Sequence, residues 1–192
     1  MADRIEIRIS GLGGQGVVLA GQILGKAAVY SGKNAVQTQS YGAEARGSAA
    51  KSEVIISDDK IGFPMVRKCD ILIAMSREAV EKNVKALKEG GLLLVDSSTV
   101  KSVPKVEARI FKLPATGISE KVFGERLYAN TIMLGALTKM TKIIGDKALE
   151  KAIRDTVPEK AVAINIQACK KGEDLVGLTS SLSRYANPLH FN

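Results

Sequence analysis

Three stretches carry residue types at spacings that can do chemistry. Gly11-Leu12-Gly13-Gly14-Gln15-Gly16 follows a strand-like alternation and opens a run of small and aliphatic residues. Glycines at a strand-to-helix junction permit a tight turn and bring an anionic group against backbone amides at a helix N-terminus. Tyr41-Gly42-Ala43-Glu44-Ala45-Arg46-Gly47 sets an aromatic, an acid and a base between two glycines. It reads either as a solvated turn or as a loop touching a partner or substrate, with Tyr41, Glu44 and Arg46 as the contact residues. Asp96 ends the apolar run 92–95 and is either a turn or helix cap or a site carboxylate.

The glycine loop alone leaves three readings open: NAD or FAD, another anionic group on the amides of Gly11, Gly13, Gly14, Gln15 and Gly16, or a structural or subunit-contacting turn. A dinucleotide site places an acid about 20 residues onward to accept from the ribose hydroxyls. Here that region reads Val36-Gln37-Thr38-Gln39-Ser40, with no carboxylate. No Lys-Ser/Thr pair follows Gly16, so the loop is not a P-loop.

Other chemistries find little support. The one histidine, His190, stands near the C-terminus, so a Ser-His-Asp or Cys-His arrangement would depend on it alone. Cys69 and Cys169 form no metal-spaced pair and read as buried thiols. The acids show no calcium-loop spacing, so no metal is expected. Lys and Arg number 28 against 20 acids, a net charge of +8. Such a balance suits a phosphorylated ligand or an acidic partner. The basic residues are scattered and aromatics are 4%, which argues against nucleic acid. There is neither an apolar run long enough to span a membrane nor a signal-like N-terminus, so a cytoplasmic location is expected.

The elements that must position these loops follow from periodicity. Ile5, Ile7 and Ile9 alternate with Arg4, Glu6 and Arg8, which predicts a half-buried first strand. Residues 15–30 read as a helix stopped at Gly32, and 34–39 as a second strand. "SEVIIS" (52–57), "DILIAM" (70–75), "LLLVD" (92–96) and "VEARIFKL" (106–113) complete the strands. The continuous apolar run in "DILIAM" marks a central strand buried on both faces. Ser76 is a candidate N-cap for a helix over 77–88 ended by "EGG". From 115 onward the pattern is helical: a long helix through Asn130 and "LGAL" (134–137), then 146–156 and 158–172. Together these predict a three-layer α/β/α, Rossmann-like domain over 1–176, with a mostly parallel but mixed sheet and C-terminal helices. Residues 177–192 lack periodicity and are expected to form an extended tail.

"GLGGQGVVLAGQILGKAA" followed by "VQTQSYGAEARGSAAKSEVIIS" resembles the gamma subunit of 2-oxoacid:ferredoxin oxidoreductases, most closely the 2-oxoglutarate (2-oxoglutarate synthase) branch. The resemblance covers roughly residues 5–172. The family loop usually reads YGPEARGG, and Ala43 and Ser48 depart from it. Tyr41, Glu44, Arg46 and Gly47 match. The resemblance implies a non-catalytic chain in a complex that converts a 2-oxoacid and coenzyme A to acyl-CoA, CO2 and reduced ferredoxin. Thiamine diphosphate, Mg and iron–sulfur clusters would belong to alpha and beta partners, with a ferredoxin-like delta subunit in some assemblies. The glycine loop would face coenzyme A or a partner subunit. A free-standing NAD- or nucleotide-binding protein is the alternative.

Overall fold

The computed structural model describes residues 4–42 and 49–182. Six strands form one sheet: β1 (Arg4–Leu12), β2 (Asn34–Tyr41), β3 (Ala49–Ser57), β4 (Cys69–Ala74), β5 (Leu87–Asp96) and β6 (Arg109–Leu113). Their order is β2-β3-β1-β4-β5-β6. β1, β4, β5 and β6 run parallel, while β3 is antiparallel to both β1 and β2. The mixed sheet expected from the sequence is therefore present, and β3 is its inserted member.

Six helices surround it: α1 (Val17–Tyr30), α2 (Arg77–Asn83), α3 (Ala115–Phe123), α4 (Ala129–Thr141), α5 (Asp146–Arg154) and α6 (Glu159–Leu182). Alternation along the strands divides the core. Ile7, Ile9, Ile71, Ile73, Leu92 and Leu94 face α1 and α4, behind which α5 and α6 pack. Ile55, Leu72, Leu93 and Val95 face the thinner layer made by α2 and its flanking loops. β4 contributes to both clusters and is buried on both faces, as its unbroken apolar run predicts.

Local signals set several boundaries. Gly32 has φ 80°, its N–H bonds Val29 O and that of Lys33 bonds Ala28 O, each at 3.0 Å. This is a Schellman stop, which needs a residue at ease in the left-handed region. Ser76 Oγ accepts from Ala79 N at 3.1 Å and caps α2.

Three expectations need correction. α2 ends at Asn83, not 88; a short 3-10 turn follows, and residues 87–91 join β5. Gly90 and Gly91 are not a helix stop but a strand irregularity. Gly90 has φ 71°, and a Cβ on Gly91 would lie 2.8 Å from Asp70 O. The long C-terminal helix is broken before Ala129 by a 3-10 turn and ends at Lys142, whose φ is 53°. Finally, α6 runs through Leu182, into the segment expected to be extended.

α4 and α6 cross without intervening side chains. A methyl group at Gly135 would fall on the carbonyl of Cys169, and one at Gly172 on the carbonyl of Ile132. Each helix thus presents a glycine to the other's backbone.

Candidate functional site

β1 ends beside the β2–β3 hairpin. Leu12 pairs with Ala49, Tyr41 with Ala50, and Gly42 N bonds Ala49 O at 2.8 Å. The two motifs, separated in sequence, therefore emerge at one end of the sheet, the carboxyl end of β1. Tyr41 stands there, 62% exposed. Glu44 and Arg46 lie outside the described residues.

Each glycine of the first loop has a separate role. A Cβ at Gly11 would lie 2.5 Å from Gln15 Oε1 and 3.1 Å from Met75 Cβ, so close packing excludes one. Gly16 has φ 70° and stands against the Asn130 side chain. Gly14 has φ 91° but opens onto free space, and Gly13 beside it is exposed. Gln15 folds back into the turn: its Oε1 accepts from Leu12 N (2.6 Å) and its Nε2 donates to Met75 O (2.8 Å). Thr99 Oγ1 donates to the same carbonyl at 2.9 Å. Gln15 thus holds the turn and ties it to the end of β4, leaving the Gly13–Gly14 edge as the outward part.

The first turn of α4 meets this loop. Asn130, 1% exposed, donates from Nδ2 to Gly16 O at 3.1 Å, while its Oδ1 accepts from Thr131 N at 2.8 Å. Thr131 Oγ1 donates to Asn165 Oδ1 of α6 at 2.8 Å. The N-termini of α1 and α4 therefore abut at Gly16. Neither has a side-chain cap nor an acid in its first turn. At α4, Ala129 N donates to Arg126 O and Thr131 N to Asn130 Oδ1, so what the two helices offer an anionic group here is the positive ends of their dipoles.

Asp96 is a cap. It is fully buried; Oδ1 accepts from Ser98 N (3.0 Å), and Oδ2 accepts from Thr116 N (3.1 Å) and the Thr116 hydroxyl. It binds the turn after β5 to the start of α3, and its oxygens point away from any open surface.

Arg8, expected to face solvent, is buried. It donates from Nε to Glu53 Oε1 at 2.8 Å and from Nη2 to Val66 O at 3.0 Å. Asn83 Nδ2 donates to Ser10 Oγ at 3.1 Å beside it. Strand alternation showed which face Arg8 occupies but not that α2 and the 58–68 loop cover that face.

The two cysteines lie in β4 and α6, both buried. Burial pushes the Cys69 thiol up to about 11, partly opposed by Arg8, and raises that of Cys169 further, helped by Glu173. Among the described residues no three His, Cys, Asp or Glu side chains converge. That donor set does not fit an iron–sulfur cluster or a metal.

The strand order also bears on NAD. In a dinucleotide fold the strand carrying the ribose acid neighbours β1. Here β3 lies between β1 and β2, and Gln37 Nε2 is spent on Ser52 Oγ at 2.9 Å.

Fold and site together define an α/β/α domain with a packed, anion-compatible loop and without a nucleophile–base pair among its described residues. Residues 6–175 match the pyruvate ferredoxin/flavodoxin oxidoreductase family, and the chain belongs to it. It is 49% identical over 175 residues to the 2-oxoglutarate synthase subunit KorC of Methanocaldococcus jannaschii, covering 90% of this chain and 94% of that one. The crystal structure of the keto/oxoacid ferredoxin oxidoreductase gamma subunit from Geobacter sulfurreducens superimposes with a TM-score of 0.81 at 43% identity, covering 91% and 99% of the two chains. The 2-oxoglutarate:ferredoxin oxidoreductase of Magnetococcus marinus, solved with 2-oxoglutarate, coenzyme A and succinyl-CoA, shares the fold. Its TM-score is 0.82 at 23% identity, over 91% of this chain and 31% of that one. No helix among the described residues is long and apolar enough to cross a membrane.

Proposed function

We propose that this chain is the gamma subunit of a thiamine diphosphate-dependent 2-oxoglutarate:ferredoxin oxidoreductase. Alpha and beta subunits are its partners and ferredoxin is the electron acceptor. The high identity to 2-oxoglutarate synthase subunits over nearly their whole length supports the 2-oxoglutarate branch. In such an enzyme the 2-oxoacid loses CO2, the acyl group passes to the coenzyme A thiol, and the released electron pair passes to ferredoxin. Thiamine diphosphate, Mg and iron–sulfur clusters supply that chemistry from the partners.

This chain's own part is binding. The observation that carries it is the meeting of the glycine loop, the α4 N-terminus and the β2–β3 hairpin at one end of the sheet. The exposed Gly13–Gly14 edge receives phosphate oxygens of coenzyme A, and Gln15 keeps that edge in shape from behind. Glu44 and Arg46 contact the ligand or a neighbouring subunit, with Arg46 suited to a carboxylate or phosphate, and Tyr41 contacts a neighbouring subunit. The NAD alternative is the weaker one, because β3 occupies the place of the ribose-binding strand.

Co-expression of the chain with its alpha and beta partners tests the reading. A complex with 2-oxoglutarate- and coenzyme A-dependent ferredoxin reduction is expected. Arg46→Ala and Gly14→Val in that complex should raise the KM for coenzyme A with kcat little changed. Recovery of the chain alone, or micromolar NAD binding to it, would overturn the assignment.

A further inference from the structure

The two edges of the sheet are guarded differently. β6 is five residues long and carries Arg109 and Lys112, which discourage strand addition. β2 at the opposite edge has eight residues, Asn-Ala-Val-Gln-Thr-Gln-Ser-Tyr, without a charge, a proline or a break in register against β3. Natural edges of that length are normally blunted.

The register shows which backbone groups are free. Gly42 N bonds Ala49 O, so Gly42–Ala49 is a hydrogen-bonded pair of the antiparallel ladder. Alternation then turns the N–H and C=O groups of Ser40, Thr38, Val36 and Asn34 towards β3. Those of Ala35, Gln37, Gln39 and Tyr41 point outward, without partners among the described residues.

Beside this edge runs an open groove of about 560 Å³ between α1 and β2, bordered by Val29, Tyr30, Ala35 and Gln37. Val29 is 55% and Tyr30 39% exposed. Tyr41, more exposed still, stands at the far end of the same strand face as Ala35.

We infer that β2 is a homotypic interface: two copies of this chain pair antiparallel through their β2 strands, joining the sheets across a two-fold axis. One register satisfies the free groups. With Thr38 facing Thr38 on the axis, Gln37 pairs with Gln39 and Ala35 with Tyr41 of the other copy, all through their outward groups. The same register lays each Tyr41 ring over the other copy's Ala35, at the mouth of the Val29–Tyr30 groove. Exposed apolar side chains and unpaired edge amides are covered by one operation, which a symmetric contact requires. β2 itself brings no charge to the contact, and the two cations beside the groove are already engaged, Lys26 Nζ donating to Asp155 O at 2.7 Å and Lys151 Nζ lying over the Tyr30 ring at 4.2 Å.

Cysteine scanning of the full chain, alone and in its complex, tests this. Thr38 sits at a non-hydrogen-bonded position on the axis, where facing Cα atoms come within about 4.5 Å, a span that a disulfide bridges. Thr38→Cys should oxidise to a disulfide-linked pair of this chain, whereas Ser40→Cys, displaced along the strand, should not; native Cys69 and Cys169 are buried. Gln39→Pro removes only an outward N–H and should halve the mass measured by sedimentation while leaving the circular dichroism spectrum unchanged. A monomeric wild-type chain at tens of micromolar, equal linkage at residues 38 and 40, or linkage of Thr38→Cys to a different subunit would overturn the inference. These readouts are independent of coenzyme A and of catalysis, so they stand or fall apart from the functional assignment.

Discussion

Asn130 and Gly16 lie 114 positions apart, and the Asn130 amide donates to the Gly16 carbonyl at 3.1 Å. That bond joins the start of α4 to the turn between β1 and α1, with the Asn130 side chain filling the space where a Cβ on residue 16 would project. The glycine loop is thus shaped from two sides, by Gln15 within it and by Asn130 across it.

Gly16→Ala should therefore cost more than Gly14→Ala. Both positions have positive φ, which costs a non-glycine residue about 1 kcal/mol. Only the alanine at 16 also displaces Asn130 from its bond, adding about 1–3 kcal/mol for the disturbed buried amide. Urea unfolding of the two variants measures the gap; equal midpoints would show that Asn130 yields freely.

The α4–α6 crossing makes a sharper prediction. Gly135→Ala and Gly172→Ala each drive a methyl group into the other helix's backbone, which has no rotamer to change. Each should destabilise by about 3 kcal/mol or more, at the upper end of overpacking costs. Gly25→Ala meets open space in α1 and should be neutral or stabilising by up to about 1 kcal/mol. Thermal melts of the three variants give the comparison.

Asp96 holds two loops by three accepted hydrogen bonds. Asp96→Ala leaves the buried donors of Thr116 and the half-buried N–H of Ser98 unpaired and should cost about 3 kcal/mol. Thr116→Val removes one donor together with its bond and should cost about 1 kcal/mol. In the assembled enzyme neither substitution should alter the KM for coenzyme A, because Asp96 faces inward. A selective rise in that KM would make Asp96 a site residue after all.

Cys69 links stability to alkaline pH. Its thiol rises from 9.0 to about 11 on folding, chiefly by burial. The folded state then holds its proton more tightly than the unfolded chain. The resulting stability is complete below pH 9 and is lost as the pH climbs through 11, a change of roughly 3 kcal/mol. Cys69→Ala should unfold with a shallower decline between pH 9 and 11 than the wild type. Native Cys69 should also resist thiol reagents at pH 8, where it remains protonated.

Much of the sheet was legible locally. The alternation of Ile5, Ile7 and Ile9, the apolar runs of β4 and β5, the Ser76 cap and the Gly32 stop each depend on neighbours a few residues away. The glycine loop and the Tyr41 loop were legible as motifs, and their shared location was not. The reach of α2 was misread because Gly90 and Gly91 look the same whether they stop a helix or bend a strand. Contacts with distant chain distinguish the two, among them Asp70 O against Gly91 and the bond from Gly90 N to Glu107 O. Arg8 carried no sign that a loop would bury it beside Glu53.

The sequence by itself determined most element types, the mixed α/β class and the family, because periodicity, capping and motif spacing act over short stretches of chain. The tertiary structure decided that β3 separates β1 from β2, that Asn130 closes on Gly16, that Gly135 and Gly172 face opposing backbones, and that β2 is left as an uncharged edge. Each of these joins residues distant in the chain, through hydrogen bonds and contacts that exist only once the layers have packed.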